Sequence, residues 1–173
     1  MPRPHANLHL ASTLWRTLLG AAAAYWLGGT PFYITVVIHT AHRVLGSQRE
    51  VGFVTRQVTR QLNTVGAAVV LLLLVNLAVR VRRSRGHRGG ALRLVTGTWV
   101  ALAALHVTLL LLHPRVDRLL DPVAQRVLDK PAFRRLHNRY MLVTTLQLLA
   151  GLLHLPLALK EPREGQRVET VGS

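Results

Sequence analysis

The sequence contains no cysteine, and it has only seven acidic residues against 22 lysines and arginines. The lack of cysteine excludes disulfides, thiolate metal sites, iron–sulfur clusters and cysteine nucleophiles. The sequence also lacks a P-loop, a dinucleotide-binding glycine fingerprint, an HExxH motif and a serine elbow. All seven acids lie outside the long uncharged stretches, so a paired-carboxylate mechanism within those stretches is excluded. We therefore favour a protein that is not an enzyme.

Charge is missing from four long stretches, although half of the residues are hydrophobic and the formal net charge is +15. The stretches without Asp, Glu, Lys or Arg are 17–42, 61–79, 94–114 and 140–159. Each is close to the ~20 residues that a helix needs to cross ~30 Å of hydrocarbon, and none has the polar face of a soluble amphipathic helix. The sequence predicts an all-α polytopic membrane protein, a bundle of four transmembrane helices with amphipathic interfacial segments.

This prediction divides the chain into an N-terminal tail (1–13), a four-helix membrane domain (14–160) and a polar C-terminal tail (161–173). Four crossings place both termini on one face, here called the terminal face, together with the arginine-dense loop 80–93. Densely placed arginines beside helix ends resist translocation, which makes the terminal face cytoplasmic. The expected location is a prokaryotic inner membrane. The arginines expected to contact lipid headgroups, rather than nucleic acid, are Arg80, Arg82, Arg83, Arg85 and Arg88.

The other face, here called the distal face, carries two linkers with apolar residues at helical spacing. In the first, Val51, Val54, Val58 and Leu62 recur at intervals of three and four, which predicts a helix that runs straight into the second span. The second linker, 116–136, is also amphipathic but contains Pro122 and Pro131. Those prolines favour short helices that lie along the membrane surface.

Histidine occurs nine times, and its placement is the feature that indicates a site. Polar residues recur at helical spacing within the spans, and polar side chains that face lipid are unfavourable, so these stripes are expected to turn inward. The expected interior polar residues, in addition to the histidines, are Thr35, Asn76, Thr144, Gln147 and His154.

Four histidines fall at the distal boundary of the spans, and His106 lies about 10 Å deeper at ~1.5 Å per residue. Imidazoles that converge at one end of a bundle can bind copper, with help from Met141, or supply axial ligands to a haem. The expected ligands are His39, His113 and His137, with His42 and His106 as substitutes. The alternative for each is a structural or interfacial ring at headgroup level that binds nothing.

Three functional hypotheses remain open at this point. The first is a small membrane protein that binds copper or haem through these interior histidines. The second is a non-catalytic accessory subunit of a larger membrane assembly, such as a respiratory or photosynthetic complex, whose partners are other membrane subunits and the lipid bilayer. The third is transport, which ranks last because few polar residues reach the middle of the spans.

Several short motifs occur in a familiar order. Leu27-Gly28-Gly29 is followed by Pro31-Phe32-Tyr33 and a histidine-bearing helix end, and Phe133-Arg134-Arg135-Leu136-His137 opens the last span. This order resembles the four-span transmembrane-protein-205-like family, a domain of unknown function, over roughly residues 20–156. More distantly, the first span is similar to copper-resistance D-type proteins and to the haem-binding membrane protoporphyrinogen oxidase. The oxidase family has a histidine early in its first helix, and the comparable region here, 14–19, has none.

Overall fold

The computed structural model describes residues 4–84, 90–121 and 126–160, with side chains from residue 12 onward except those of 48 and 49. In chain order the elements are α1 (Pro4–Phe32), a π-helical turn (Tyr33–Val37), α2 (Ile38–Leu45), α3 (Gln48–Arg83), α4 (Gly90–Asp117), β1 (Leu120–Asp121), β2 (Arg126–Val127) and α5 (Lys130–Leu159).

Four helical segments of the described chain are long and apolar enough to cross a membrane: Ser12–Leu45, Glu50–Arg83, Gly90–Asp117 and Lys130–Leu159. The predicted all-α architecture with four long helices is therefore confirmed. Each segment is longer than the uncharged stretch from which it was predicted. In addition, α1 begins at Pro4, so much of the predicted N-terminal tail is helical.

The helix predicted for the first distal linker is the beginning of α3. Gly46, with φ of 64°, ends α2, and the Ser47 side chain then caps α3 by accepting a hydrogen bond from the Glu50 N–H at 3.4 Å. With 36 residues, α3 is about 54 Å long at ~1.5 Å per residue, well beyond the ~30 Å of hydrocarbon in a bilayer. Its first turns therefore extend past the apolar part of the bundle.

The second distal linker differs from the prediction, because it forms a β-hairpin rather than short surface helices. The helix α4 continues to Asp117, and β1 then pairs with β2 in antiparallel register, with Leu120 opposite Val127. The helix α5 begins at once after Asp129, whose carboxylate accepts the Ala132 N–H at 2.9 Å. Pro131 fits the first turn of α5, where no backbone N–H is needed. Pro122 lies outside the described residues.

The four long segments pack in a ring, in which α1 contacts α3, α3 contacts α4, α4 contacts α5, and α5 returns to α1. Their shared hydrophobic core lies toward the terminal half. Its most buried members are Leu19, Ala23, Val69, Leu73 and Leu102. The outward faces are apolar as well, with exposed leucines and valines along every helix. Exposed apolar surface of this extent is typical of a surface that contacts a membrane or another protein.

Candidate functional site

A cavity of about 640 Å³ lies between the distal ends of the helices. Residues from the π turn and from α2, α3, α4 and α5 line its wall, and four residues of the β-hairpin complete it: Leu120, Asp121, Arg126 and Val127. Most of the remaining lining is apolar or aromatic. The volume falls within the ~300–1,000 Å³ typical of small-molecule sites, which also tend to lie between the helices of bundles.

One wall of the cavity is formed where α1 passes into the π-helical turn. Pro31 lies inside the last turn of α1 and has no N–H to donate to the preceding turn. The π turn follows at once, and single π turns are frequent at functional sites. This turn places the buried Tyr33 ring and Ile34 against the cavity, and Ile38 at the start of α2 lies beside them in the lining.

A buried polar pair lies at the deep end of the cavity. The Gln147 side chain, which lines the cavity, is 2.6 Å from Nδ1 of His106, and His106 is only 3% exposed. The His106 ring meets the Trp26 ring edge-on, with centroids 6.0 Å apart. The backbone of Asn63 approaches the same imidazole. Nε2 of His106 nevertheless has no hydrogen-bond partner of normal geometry among the described residues. His106 is therefore held from α5 and α1 below the cavity and does not form its wall.

A second polar pair forms part of the cavity wall itself. The Tyr140 hydroxyl donates to Oδ1 of Asn63 at 2.9 Å, which joins α5 to α3. The Tyr140 ring also lies 6.2 Å from the His113 ring. Within the described chain, three buried polar atoms of the lining have no hydrogen-bond partner: the Tyr33 hydroxyl, Nδ2 of Asn63 and Nε2 of His113. Buried polar atoms without a partner are uncommon in native proteins, and here three of them border one cavity.

The charged residues that line the cavity are paired with each other. Arg56 on α3 meets Asp117 on α4, with Nε and Oδ1 3.1 Å apart. Across the hairpin, Nε of Arg126 is 3.9 Å from Oδ2 of Asp121. Nε2 of His113 also faces Asp117, at 3.8 Å. The lining thus holds two arginines and two aspartates, so their formal charges cancel.

The structure brings some of the predicted histidine ligands together and leaves others apart. His42, His113 and His137 line the cavity, as does Met141, whereas His39 is exposed on α2 and does not. His42 bonds to the Ile38 carbonyl through Nδ1 at 2.9 Å, and the His137 ring stacks on Phe133 at 5.6 Å.

Among the residues described, no three His, Cys, Asp or Glu side chains are arranged to hold a metal ion. The expected set of His39, His113 and His137 is therefore not assembled as a metal centre. Axial ligation of a haem by one or two of the cavity histidines is not tested by this arrangement and stays a prediction.

Of the polar residues expected in the interior, four are buried and one is exposed. Asn76, Thr144, Gln147 and His154 are buried. Thr35 is exposed, and its hydroxyl donates to the Pro31 carbonyl of its own helix at 2.7 Å, so its expected interior position is wrong.

At the terminal end of the bundle, polar side chains bind the last carbonyls of α5. Nδ2 of Asn76 donates to the Ala158 carbonyl at 3.2 Å, and Arg80 donates to the carbonyls of Leu157, at 2.8 Å, and Lys160. Arg16 donates to the Leu159 carbonyl. These carbonyls have no partner within the helix, and cations are favourable at this end of the helix dipole.

This contact gives Arg80 a structural role at the end of α5, and its expected contact with lipid headgroups stays a prediction. Arg82 and Arg83 are exposed, in agreement with a surface role, while Arg85 and Arg88 lie outside the described residues. His154 completes the terminal end, with its Nδ1 2.9 Å from the Thr98 hydroxyl.

Three of the cavity residues that sequence reasoning missed are Tyr33, Arg56 and Asn63. Pro31, two residues before Tyr33, was a signal of a helix break. Asn63 begins a Leu-rich stretch, where a lone amide is typical of an interhelical contact. No local signal joins Arg56 to Asp117, because the two are far apart in the chain.

No family model, curated protein or solved structure matches this chain. The resemblance to four-span families therefore rests on the quoted motifs alone, and the expected partner subunits remain predictions.

Proposed function

We propose that this chain is an integral protein of a prokaryotic inner membrane that binds a small amphipathic molecule in the distal cavity, with both termini cytoplasmic. The observation that carries the proposal is the combination of an apolar cavity with unpartnered buried polar atoms on its wall. Leaving a buried donor or acceptor unpaired costs about 1–3 kcal/mol. A ligand that bonds to these atoms recovers that cost, while its apolar part contacts the leucine, valine and aromatic lining.

The substitution that tests this proposal fills the cavity without disturbing the core. A Cβ built at Gly52, which lines the cavity on α3, meets no atom within 4 Å. Gly52 shares a helix face with Thr55, Arg56 and Thr59 of the lining, so we expect a phenylalanine there to extend into the ligand volume. Gly97 on α4 is the matched control, because it is also helical, also open around its Cβ, and outside the cavity.

The measurement is titration of the detergent-purified protein with 1-aminoanthracene, a neutral fluorescent probe. We expect saturable binding to the wild type and to Gly97→Phe, and at least tenfold weaker binding to Gly52→Phe. Non-saturable binding, or equal affinities in all three proteins, would contradict a ligand site in this cavity.

Haem or copper is the second candidate, because three histidines and Met141 line the same cavity. An absorbance spectrum of the purified protein tests for haem, and metal analysis tests for copper. A colourless, metal-free preparation that takes up neither haem nor copper on addition excludes this candidate and leaves the first one standing.

The proposed orientation is testable because the natural sequence has no cysteine. Leu128 is exposed at the distal face, and Ser84 ends α3 at the terminal face. In intact cells, a membrane-impermeant maleimide should label Leu128→Cys and should label Ser84→Cys only after lysis. The reverse pattern would invert the orientation, and labelling of both sites before lysis would contradict their separation by a membrane.

A further inference from the structure

We infer that the cavity selects a neutral, flat ligand that presents carbonyl oxygens as hydrogen-bond acceptors, the chemistry of a quinone. This inference rests on the proposed ligand-binding function and narrows it to one chemical class. It combines three independent features of the lining: its charge balance, the donors that two of its three unpartnered atoms supply, and its aromatic walls.

The charge balance argues for a neutral ligand. Arg56 is committed to Asp117 on the neighbouring helix, and Arg126 lies against Asp121 across the hairpin. Burial of an ionised group is expensive unless an opposite charge pairs with it. A carboxylate or phosphate in this cavity would have to share an arginine with the aspartate that it already faces, which brings two negative charges close together. A neutral molecule has no such requirement.

The unpartnered atoms argue for acceptors on the ligand. Oδ1 of Asn63 already accepts the Tyr140 hydroxyl, which leaves Nδ2, an atom that can only donate. The Tyr33 hydroxyl is available to donate as well. Thr55 and Thr59 approach it from α3, but it makes no hydrogen bond of normal geometry in the described structure. A carbonyl oxygen is a suitable partner for both donors, whereas an N–H group on the ligand cannot satisfy the Asn63 amide.

The walls argue for a flat apolar framework. Phe53 and Phe133 line the cavity with Tyr33 and Tyr140, and the Phe133 ring stacks on His137 with an interplanar angle of 11°. Aromatic side chains favour offset-stacked or edge-on contacts with another ring. A planar ring system with carbonyl groups on its edge therefore fits the rings and the donors together.

The experiment compares three probes built on one carbon skeleton: 1,4-naphthoquinone, naphthalene and 1-naphthoate. Each is titrated as a competitor of 1-aminoanthracene. The absence of cysteine means that the quinone has no thiol to alkylate. We expect naphthoquinone to bind at least tenfold more tightly than naphthalene, and naphthoate to bind most weakly.

The variant that tests the donors is Tyr33→Phe, which removes a hydroxyl without a hydrogen-bond partner and preserves the ring. It should weaken naphthoquinone binding about 3- to 10-fold, the net value of one hydrogen bond, and leave naphthalene unchanged. Tyr25→Phe is the control, because Tyr25 is in the same long segment, Ser12–Leu45, but is exposed and outside the cavity.

Each failure has a distinct meaning. Equal binding of naphthoquinone and naphthalene would overturn the requirement for hydrogen-bond acceptors on the ligand. Tightest binding of naphthoate would overturn the requirement for a neutral ligand. Unchanged naphthoquinone affinity in Tyr33→Phe would overturn the role of the Tyr33 hydroxyl. In all these cases the cavity still binds a probe, and Gly52→Phe still blocks it. Failure of every probe, or no effect of Gly52→Phe, would instead overturn the proposed function itself.

Discussion

Gly66 is the point of closest approach between α3 and the rings of Trp26 and His106. A Cβ added there would lie 2.7 Å from Cε1 of His106 and 2.7 Å from Nε1 of Trp26. Both rings are buried, and His106 is also bonded to Gln147, so neither can turn away freely. We therefore predict that Gly66→Ala is destabilising, although alanine is the better helix former.

Two opposing effects determine the magnitude. Replacing a helical glycine with alanine gains about 1 kcal/mol from backbone entropy and propensity. Inserting a methyl group into a packed core typically costs about 1–3 kcal/mol. Gly97→Ala should show the gain alone, because its Cβ meets nothing within 4 Å. The difference between the two variants therefore isolates the packing cost of about 1–3 kcal/mol.

Gly151→Ala provides an intermediate case. Its Cβ would approach Cδ2 of Leu27 to 2.5 Å, but that atom is the end of a flexible side chain rather than a ring held by a hydrogen bond. We expect the order of stability to be Gly97→Ala, then Gly151→Ala, then Gly66→Ala.

Thermal unfolding in mild detergent, followed by tryptophan fluorescence, measures this series. For a chain of this size a change of 1 kcal/mol corresponds to about 2–4 °C, so Gly66→Ala should melt about 2–12 °C below Gly97→Ala. Equal melting temperatures for these two variants would refute the close approach of α3 to the two rings.

Three further substitutions test the interhelical polar contacts by the same unfolding assay. Gln147→Leu leaves the imidazole that it contacts without a partner and should cost about 1–2 kcal/mol, whereas Gln57→Leu at an exposed position should change stability little. Arg80→Ala uncovers the last carbonyls of α5 and should cost about 1–3 kcal/mol, with the exposed Arg82→Ala as its near-neutral control. Thr98→Val removes the hydroxyl that bonds to a buried histidine and should cost about 0.5–1 kcal/mol. An effect in either control as large as in its test variant would contradict these assignments.

The four long helices were predictable because their physical basis is local. A run of about 20 uncharged, mostly apolar residues satisfies its backbone only as a helix when no water is present. The helix that joins the first distal linker to the second span was predictable from local sequence as well. Val51 and Leu62 follow helical spacing, and Ser47 with Glu50 forms an N-terminal cap.

The orientation of the polar stripes was predictable only in part. The rule that polar residues face inward applies to Asn76, Gln147 and His154, which bind neighbouring helices. It fails for Thr35, which is exposed and whose hydroxyl donates to the carbonyl four residues earlier. A hydroxyl that bonds to its own backbone is found in both positions, exposed in Thr35 and buried in Thr144, and the sequence alone does not distinguish the two cases.

The distal hairpin was missed for a different reason. Strands of two residues are too short to show an alternating pattern, so the apolar spacing of 116–136 favoured helices. One available signal was overlooked. Asp129 followed two residues later by Pro131 is a typical N-terminal cap and first turn of a helix, and it marks the start of α5.

The two ends of the bundle differ in how they satisfy polar groups, and this difference leads to a last prediction. At the terminal end, Asn76 and Arg80 find carbonyl acceptors, whereas at the distal end the Tyr33 hydroxyl and the Asn63 amide do not. If these distal groups served stability, Tyr33→Phe should lower the melting temperature of the ligand-free protein. If they serve a ligand, the same variant removes a buried unpaired hydroxyl, so its melting temperature should be unchanged or higher while quinone binding weakens. A lower melting temperature with unchanged binding would assign Tyr33 to the core rather than to a site.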